Sequence, residues 1–374
     1  MAMSEIENDD WLDIGILRNV AALATLPKKK GDSMKAAAFS RFGGPEVIEY
    51  RELATPAPRP GNVLVKVLAA GVNRLEHYLR EGSVLRDIRL PHVLGSDAAG
   101  EIAATGSGVT QFRVGERVVP MPGYPLDPRD DEHAPLSAAP SYAIGGIRNW
   151  GTYAELVEVP AKWVLRDDTG LAPEQVATLP MVLVTAVRSV RRVGGVKAGD
   201  RVLVHAGASG TGTMNIQVAR TLGARIATTV QGATQAKLAA SLGAELVVDV
   251  ESRDFVKDVL DWTEGRGVDV AVDNLGGEVL AKTIDATRVG GTIVAMGFVA
   301  GVEVRFHIRN FFFTHKRLLG TLMGDVEDFR WGLAQVRAGH IRPLLDRVLP
   351  LAEAAEAHRL IAANAVNGNL VLRP

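Results

Sequence analysis

Apolar and polar positions alternate along the chain in two different ways, and the pattern changes near the middle. From about residue 201 onward, short β-branched and aliphatic runs are separated by segments with apolar residues three and four positions apart. The runs have the length of buried strands and the segments have the period of helices. Strands are predicted at 201–205, 225–230, 245–249, 268–273 and 292–296, and helices at 213–222, 235–242, 254–262 and 278–287. Five strands alternating with helices predict an α/β fold with a doubly wound parallel sheet.

The part of the chain before this array has many short strands and few helices. Strands are predicted at 35–39, 47–52, 63–68, 100–104, 117–120 and 152–159. Many short strands outside the alternating array indicate a separate β-rich domain, to which a closing strand at 370–373 returns the chain. The predicted organisation is an N-terminal extension (1–33), a β-rich domain (34–166), a doubly wound domain (167–308) and a returning segment (309–374).

A turn of small residues joins the first strand of the array to its first helix. Small residues let the backbone approach a pyrophosphate, and the N-terminus of a helix attracts an anion. Relative to the pattern G-x-G-x-x-G, Ser209 replaces the middle glycine. The turn predicts a dinucleotide-binding domain, and the alternative is a turn that serves packing only. Its candidate cofactor-binding residues are Gly207, Ala208, Ser209, Gly210, Thr211 and Gly212.

Composition narrows the classes of function. The 374 residues carry a net charge of −1 and show no clustered basic face, which argues against nucleic acid as a partner. The chain has no cysteine, so it has no thiolate ligand or nucleophile, and a reducing compartment, the cytoplasm, is expected. No apolar run approaches the roughly 20 residues needed to cross a bilayer. We expect a protein with neither a membrane nor a nucleic-acid partner.

Residues 1–33 differ in composition from the rest. An acidic start is followed by an apolar stretch at 14–26, an order that fits neither a secretory signal nor a mitochondrial presequence. Two interpretations are open. The segment is either an appended extension, with Met34 as a possible internal start, or an amphipathic helix that docks on a neighbouring subunit.

Several motifs lie between Met34 and Pro374: Ala70-Gly71-Val72-Asn73 with Glu76 and Tyr78, 94–100, Gly115-Glu116-Arg117-Val118, Gly151-Thr152-Tyr153-Ala154-Glu155 and the 202–212 turn. They resemble those of the medium-chain dehydrogenase/reductase family, especially its zinc-free quinone oxidoreductase-like and enoyl reductase-like members. The resemblance implies a GroES-like catalytic domain together with a Rossmann domain, an NAD(P)H-dependent oxidoreductase activity and a homodimer, through a sixth strand near 302–306.

Departures from the family pattern concern the metal. Zinc-dependent relatives have a cysteine where this chain has Asn73 and a His-Glu pair where it has Ser96 and Asp97. The loop at 120–150 resembles a lobe that holds a structural zinc with four cysteines, and none is present here. Its acidic residues, at 127–132, are interpreted as a solvated surface. The prediction is that the protein binds no metal.

Without a metal, a carbonyl must be activated in another way. Zinc stabilises an alkoxide, whereas a conjugated enone or a quinone spreads the charge into an enolate that hydrogen bonds can hold. Tyr78 is the preferred candidate for orienting the oxygen or passing a proton, and Asn73 is a second candidate. The alternatives are a packing role for Tyr78, a loop-capping role for Asn73, a zinc-independent alcohol dehydrogenase, and a non-catalytic cofactor-binding scaffold.

The residues at the end of the second predicted strand favour NADPH over NADH as the cofactor. NAD enzymes commonly place an acid there, and this chain has Thr229 and Gln231 instead, with Lys237 after them. The alternative for Lys237 is an exposed helix lysine. Val250 stands where many such reductases have a tyrosine, which weakens the resemblance at the adenine end.

The resemblance also implies residues on the nicotinamide side of the cofactor. His205 is interpreted as a packed residue at a strand end rather than as an acid or base. The implied cofactor contacts are Thr185, Met296, Gly297, Phe298, Leu322, Met323 and Gly324, with Asn274 as a lesser candidate.

Overall fold

The computed structural model describes residues 33–374, which form two compact units. Unit 1 contains the described residues up to Pro180 together with Arg347–Ala365 and Leu370–Pro374, and unit 2 contains Met181–Asp346 and Val366–Asn369. Both interpretations of the N-terminal extension fall on residues 1–32, outside the described residues. None of the helices within 33–374 is long and apolar enough to cross a membrane.

Unit 1 is built on antiparallel strands. One sheet has the order β2-β1-β4, another has the order β10-β6-β5-β3-β18-β17 with β9 also on β3, and β7 pairs with β8. The strands are β1 Ser33–Phe39, β2 Ile48–Ala54, β3 Asn62–Val72, β4 His92–Val93, β5 Asp97–Thr105, β6 Arg117–Pro120, β7 Gly123–Pro125, β8 Tyr142–Ile144, β9 Leu156–Pro160, β10 Val164–Arg166, β17 Leu345–Pro350 and β18 Asn369–Arg373. Its helices are α1 Arg74–Glu81, α2 Pro173–Val176 and α10 Ala354–Ala362.

Strand β3 places the start of α1 beside the start of β5. Gly71 pairs with Asp97 in the β3–β5 ladder, and β3 ends at Val72 directly before Asn73, the N-cap of α1. A Cβ on Gly71 would lie 2.3 Å from the carbonyl oxygen of Ala177, so α2 approaches β3 closely. This packing explains why unit 1 extends past the predicted boundary at residue 166.

Unit 2 contains a parallel sheet with the strand order β13-β12-β11-β14-β15-β16, and this confirms the predicted doubly wound fold. The strands are β11 Arg201–Val204, β12 Arg225–Val230, β13 Leu246–Asp249, β14 Val268–Asp273, β15 Thr287–Ala295 and β16 Arg317–Gly320. The helices are α3 Pro180–Ala186, α4 Gly210–Thr221, α5 Gly232–Ser241, α6 Phe255–Trp262, α7 Gly277–Ala286, α8 Ile308–Phe313 and α9 Val326–Arg337, and a π-helix spans Val187–Val193.

The position expected for the sixth strand was wrong. Residues 302–306 form no strand, and β16 at Arg317–Gly320 pairs in parallel with β15 instead. Residues 302–306 have the alternating composition of a strand, but the ladder requires a segment that lies beside β15, and Arg317 pairs there with Thr292. Unit 2 therefore continues beyond the predicted boundary at residue 308.

The core of unit 2 lies where helices α6 and α7 cover the sheet. Its apolar side chains are almost completely buried, and the strands supply β-branched and small residues that a sheet buried on both faces requires. Strand order reverses between β11 and β14, and ligands of such sheets bind beyond the carboxyl ends of the strands at this switch point. The core residues are Leu203, Ala227, Val248, Phe255, Val259, Val268, Ala271, Leu280, Ile284, Ala286 and Ile293.

Candidate functional site

A buried carboxylate, Glu76, is the centre of the candidate site in unit 1. It accepts hydrogen bonds from the Asn73 amide at 2.6 Å, from the Ser96 amide at 3.0 Å and hydroxyl at 2.9 Å, and from the Tyr153 hydroxyl at 2.8 Å. Burial raises the pKa of Glu76, and these four donors act in the opposite direction. A carboxylate has about four acceptor positions, so the protein itself occupies them. Glu76 therefore holds α1 and the start of β5 together.

The side-chain amide of Asn73 belongs to the same hydrogen-bonded cluster. Its Nδ2 atom donates to Ser96 Oγ at 3.1 Å and to Asp97 Oδ2 at 3.0 Å. An amide nitrogen carries two hydrogens, so Asn73 has no N–H left for a substrate oxygen. This geometry favours the capping interpretation of Asn73 over that of a direct donor. Asp97 is a buried hydrogen-bonding partner, because its side chain is buried and bonded to Asn73.

Tyr78 lies on α1 and is half-buried. It follows Glu76 by two residues, which turns its side chain about 200° around the helix from the buried carboxylate. Its ring centroid lies 5.6 Å from that of His77. Tyr78 thus presents a partly accessible phenol on the helix that Glu76 anchors, and its catalytic role stays a prediction.

The side chains in this cluster are not the ligands that a catalytic zinc ion requires. Zinc prefers thiolate, imidazole and carboxylate ligands, and Asn73 and Ser96 offer an amide and a hydroxyl. The remaining carboxylate, that of Asp97, already accepts a hydrogen bond from Asn73. Within residues 33–374, no group of three or more His, Cys, Asp or Glu side chains could hold a metal ion.

Three acidic residues of the loop at 120–150 are bonded to neighbouring groups. The Asp127 carboxylate bonds the Arg129 guanidinium, which lowers the pKa of Asp127 to about 2. Asp130 accepts a hydrogen bond from the Ser141 amide, and Asp131 pairs with Lys162. These contacts account for the acidic loop as a bonded surface of unit 1.

In unit 2, the glycine turn between β11 and α4 is so compact that it leaves no room for an added side chain. A Cβ on Gly212 would lie 2.0 Å from the Ala206 carbonyl oxygen, and one on Gly207 would lie 2.2 Å from Thr228 Oγ1. A Cβ on Gly210 would lie 2.3 Å from Asn369 Oδ1. These close approaches hold the turn in one shape.

Residues from the C-terminal part of the chain support this turn. The Gly368 amide donates to the Ala208 carbonyl oxygen at 2.9 Å, and Gly368 forms a parallel β-bridge with Ser209. Asn369 then lies against Gly210. The turn is therefore held by a segment that is distant in sequence and belongs to the same unit.

Ser209 acts as the N-cap of α4. Its backbone is extended, with φ −74° and ψ 163°, so no glycine is required at this position. Its hydroxyl accepts a hydrogen bond from the Gly212 amide at 3.1 Å. The amides of Gly210 and Thr211 begin the helix and have no intrahelical acceptor. Despite the missing glycine, the turn offers backbone donors and a helix dipole to an anion.

The end of β12 differs from the sequence-based expectation. Thr229 is buried, and its Oγ1 accepts a hydrogen bond from the Ala206 amide at 3.1 Å, so it supports the glycine turn. Gln231 and Lys237 are exposed. Asp249, at the end of β13, accepts a hydrogen bond from the Gly232 amide at 3.1 Å. An acid is thus present beside the end of the second strand, supplied by the third.

Residues predicted to contact the nicotinamide meet within unit 2. Thr185 Oγ1 lies 3.8 Å from Met323 Sδ, and Ser189 Oγ lies 3.1 Å from Met296 Sδ. Ser189 belongs to the π-helix that continues α3, and such segments are frequent at functional sites. Met323 has φ 53°, an unusual value for a residue with a side chain.

Two glycines in this region allow backbone segments to approach each other. A Cβ on Gly324 would lie 2.5 Å from the Val184 carbonyl oxygen, and one on Gly297 would lie 2.4 Å from the Asn274 carbonyl oxygen. Asn274 Oδ1 is buried without a hydrogen-bond partner among residues 33–374. The side chains of Phe298 and Leu322 are each 47% exposed. The region therefore combines an unused acceptor with accessible apolar surface, which fits a dinucleotide.

Two residues of this region, Ser189 and Asp249, could not be recognised as functional from the sequence alone. Ser189 belongs to no recognised motif. Asp249 ends β13, whereas the acid that distinguishes NAD enzymes is expected at the end of the second strand, β12. Asp249 reaches this site through the parallel register of β12 and β13, in which Val230 pairs with Asp249, and the sequence alone carries no signal for that register. His205 attracted attention as a strand-end residue, and the structure shows that its ring bonds to Thr229 and Thr283.

Comparisons with known proteins agree with this geometry. A family model described as zinc-binding dehydrogenase matches residues 210–338, and one described as alcohol dehydrogenase GroES-like domain matches residues 59–169. The chain is 30% identical over 347 residues to a quinone oxidoreductase of Pseudomonas aeruginosa, covering 90% of this chain and 98% of that protein.

Two further similarities have the same extent. A 2-haloacrylate reductase of Burkholderia sp is 30% identical over 358 residues, covering 91% of this chain and 98% of that protein. A solved structure described as an NAD-dependent alcohol dehydrogenase has a TM-score of 0.85 and 33% identity, covering 91% of this chain and 100% of that chain. With the Rossmann and GroES-like units in place, the chain belongs to the medium-chain dehydrogenase/reductase family and is an oxidoreductase of its quinone oxidoreductase-like branch.

Proposed function

We propose that this oxidoreductase transfers a hydride from NADPH to an α,β-unsaturated carbonyl or a quinone without a metal. The observation that carries the proposal is the cluster around Glu76. It is a closed set of hydrogen bonds at Asn73, Ser96 and Asp97, the positions where the family resemblance implies the metal ligands of zinc-dependent members, and its amide and hydroxyl groups do not fit zinc. A reaction that needs no Lewis acid suits such a site.

The chemistry of the acceptor follows from this cluster. Hydride addition to an isolated ketone concentrates negative charge on one oxygen, which zinc would stabilise. Addition to the β carbon of an enone, or to a quinone, spreads that charge over a conjugated system. A neutral hydrogen-bond donor is then sufficient, and a proton completes the reduction to a saturated ketone or a hydroquinone. The names of the quinone oxidoreductase and haloacrylate reductase relatives support this class of acceptor.

Tyr78 is the proposed donor to the acceptor's oxygen. Its helix is fixed at the N-terminal end by the Glu76 and Asn73 bonds, so the phenol is carried by a rigid support. Because Asn73 uses both of its amide hydrogens within the cluster, we assign it to positioning. Bound NADPH supplies the hydride.

In unit 2, the amides of Gly210 and Thr211 are proposed to bind the pyrophosphate, and Thr185, Met296 and Met323 the nicotinamide side. Asn274 Oδ1 is available to accept a hydrogen bond. The remaining predicted contacts lie on the same turns: Gly207, Ala208, Ser209, Gly212, Gly297, Phe298, Leu322 and Gly324.

Features near β12 support both possible forms of the cofactor. The absence of an acid directly after the strand and the exposed Lys237 on α5 favour the 2′-phosphate of NADPH. The carboxylate of Asp249 at the Gly232 amide favours NADH, because it would repel a phosphate. We retain NADPH as the proposal, with NADH as the alternative that the first experiment distinguishes.

A homodimer formed through β16 is part of the proposal. All four residues of this edge strand are exposed, and Phe312 and Phe313 on α8 are 55% and 68% exposed. An exposed edge with apolar neighbours is a template for pairing with a second copy around a two-fold axis. Light scattering should give a dimer mass for the wild type and a monomer mass for Leu319→Lys.

The first experiment is a titration of the purified protein with NADPH and, separately, with NADH, followed by tryptophan fluorescence. Tighter saturation by NADPH is expected. Turnover is then measured with 1,4-benzoquinone and 2-cyclohexen-1-one, and the reverse direction with 2-propanol and NADP⁺. In Tyr78→Phe, kcat for the enone should fall by about 10², with an unchanged affinity for NADPH.

Other outcomes would support the other functions. Oxidation of 2-propanol without reduction of either acceptor would indicate a zinc-independent alcohol dehydrogenase. Saturable cofactor binding without turnover of any compound would indicate a scaffold. Full activity of Tyr78→Phe would remove Tyr78 from the mechanism and leave the rest of the proposal standing.

A further inference from the structure

A chain of buried hydrogen bonds passes through His205, the residue that directly follows β11. The side chain of His205 is almost completely buried, and its ring packs edge-on against Phe255 at 5.0 Å. Nδ1 lies 3.0 Å from Thr229 Oγ1, and Nε2 lies 2.8 Å from Thr283 Oγ1. Both ring nitrogens are therefore bonded to hydroxyl groups, one on β12 and the other on α7.

The positions of the neighbouring groups determine which ring nitrogen carries the proton. Thr283 Oγ1 lies 2.7 Å from the Val279 carbonyl oxygen and 3.0 Å from Asp273 Oδ2. Both of these are acceptors, so the single Thr283 hydrogen must point toward them. Thr283 then has no hydrogen to give Nε2, and Nε2 must itself donate. His205 is thus the Nε2–H tautomer.

This assignment also determines the role of the other ring nitrogen, Nδ1. With its proton on Nε2, Nδ1 is an acceptor, and the Thr229 hydroxyl donates to it. That leaves the lone pairs of Thr229 Oγ1 to accept the Ala206 amide at 3.1 Å. The hydrogen bonds are then donated in one direction, from Ala206 through Thr229, His205 and Thr283 toward Asp273. Burial lowers the pKa of His205, in agreement with a neutral ring.

The two ends of this hydrogen-bond chain are the two turns at the switch point of the sheet. At one end, Ala206 has φ 51°, an unfavourable left-handed conformation for alanine, and its amide is held by Thr229. At the other end, Asp273 Oδ1 accepts the amides of Leu275 at 2.9 Å and Gly276 at 2.7 Å. The first turn precedes α4 and the second precedes α7.

We propose that His205 is a positioning residue that fixes these two turns in the shape that binds the dinucleotide. This rests on the proposed function, since it assumes that unit 2 binds the cofactor. His205 touches neither the cofactor nor the substrate in the proposal. It acts through Thr229 on the glycine turn, and through Thr283 and Asp273 on the turn before α7.

The first test is an NMR measurement on the apo protein. A two-bond ¹H–¹⁵N correlation spectrum distinguishes the two neutral tautomers of a histidine ring and the imidazolium ion. The expected signal for His205 is that of the Nε2–H tautomer at neutral pH. A signal from Nδ1–H, or from the doubly protonated ring, would overturn the proposed direction of the chain.

The second test uses His205→Gln, Thr283→Val and the control Thr287→Val. Thr287 is also a buried threonine of unit 2, and its hydroxyl donates to the Thr283 carbonyl oxygen, which is a backbone atom and not one of the side-chain groups that link Thr229, His205, Thr283 and Asp273. Hydrogen exchange at the amides of Ala206 and Gly276 should accelerate at least tenfold in the first two variants and remain unchanged in the control. Thr283→Val keeps the volume of the side chain, so it decides the matter if His205→Gln does not fold.

Cofactor binding gives the third readout. In Thr283→Val, Kd and KM for NADPH should rise about tenfold, and kcat at saturating cofactor should stay near the wild-type value. Unchanged exchange and unchanged Kd in both variants would refute the positioning role. If the wild type binds neither NADPH nor NADH while exchange still accelerates in the variants, the hydrogen-bond chain is supported and the proposed function fails.

Discussion

The candidate sites of the two units differ in whether their polar groups are already hydrogen-bonded within the protein. Unit 1 buries a carboxylate, Glu76, and surrounds it with four donors of its own, so the cluster is complete without a ligand. Unit 2 lines its turn with glycines and leaves the amides of Gly210 and Thr211 at a helix start. The first arrangement gives rigidity, and the second gives affinity for an anion. A variant in unit 1 should therefore lose stability, and a variant in unit 2 should lose binding.

The largest expected effect is that of Glu76→Ala. It removes the acceptor of four hydrogen bonds and leaves buried donors unpaired, which should lower the free energy of unfolding by about 4 kcal/mol. Urea denaturation measures this loss. The control is Glu52→Ala, whose exposed carboxylate pairs with Lys35 at the surface and whose loss should change the free energy of unfolding far less. Equal losses in the two variants would contradict the idea of a self-supporting cluster.

Gly212→Ala should show the complementary behaviour in unit 2. The added methyl group would meet the Ala206 carbonyl oxygen at 2.0 Å and force the turn open. A distortion of about 1–3 kcal/mol should weaken NADPH binding by about five-fold to more than a hundredfold. Isothermal titration calorimetry measures the change. Gly320→Ala, where an added Cβ meets nothing within 4 Å, serves as the control and should bind like the wild type.

Acid should destabilise unit 1 through His358. Burial, with the nearby Arg80 and His77, lowers the pKa of His358 to about 3, whereas an unfolded histidine titrates near 6.5. The unfolded chain therefore binds more protons between these values, and stability falls as the pH drops below about 6.5. From pH 7 to pH 5 the loss from this residue should be about 2 kcal/mol.

His358→Phe tests this prediction, because neither ring nitrogen has a hydrogen-bond partner among the described residues. The ring packs edge-on against Tyr153, a contact that phenylalanine can keep. The difference in unfolding free energy between pH 7 and pH 5 should shrink by about 2 kcal/mol relative to the wild type. An unchanged pH dependence would place the acid sensitivity elsewhere.

The smallest expected effect concerns Asp249→Asn. The amide keeps an oxygen for the Gly232 amide and removes a negative charge beside the end of β12. The ratio of NADPH affinity to NADH affinity should rise by about five-fold, equivalent to about 1 kcal/mol. Lys237→Ala should move the ratio in the opposite direction. If neither variant changes the ratio, neither side chain senses the 2′-phosphate.

The sequence was sufficient for features that depend on local pattern. Alternating strands and helices gave the doubly wound sheet, and small residues at 207–212 marked the turn, because periodicity and side-chain size are visible residue by residue. Features that depend on the register between neighbouring strands could not be predicted from the sequence. Asp249 reaches the end of β12 only because β13 pairs with it, and β16 is a strand only because Arg317 lies beside Thr292.

The candidate site in unit 1 shows the same limit. From the sequence, Asn73 and Tyr78 are candidate hydrogen-bond donors to a substrate, but the sequence does not show which of their hydrogens are already bonded within the protein. Both amide hydrogens of Asn73 are used by Ser96 and Asp97, which lie on a different strand. A list of donors from sequence counts groups, and only the folded chain shows which of them are already bonded.

The bond from Gly368 to the glycine turn has a consequence for protein synthesis. The ribosome makes residues 206–212 long before Gly368 and Asn369, which close against Ala208 and Gly210. A nascent chain can form most strands of unit 2 and still lack this support for the turn. A message truncated just before residue 368 would therefore yield a chain that contains the full glycine sequence and has lost the support that shapes it.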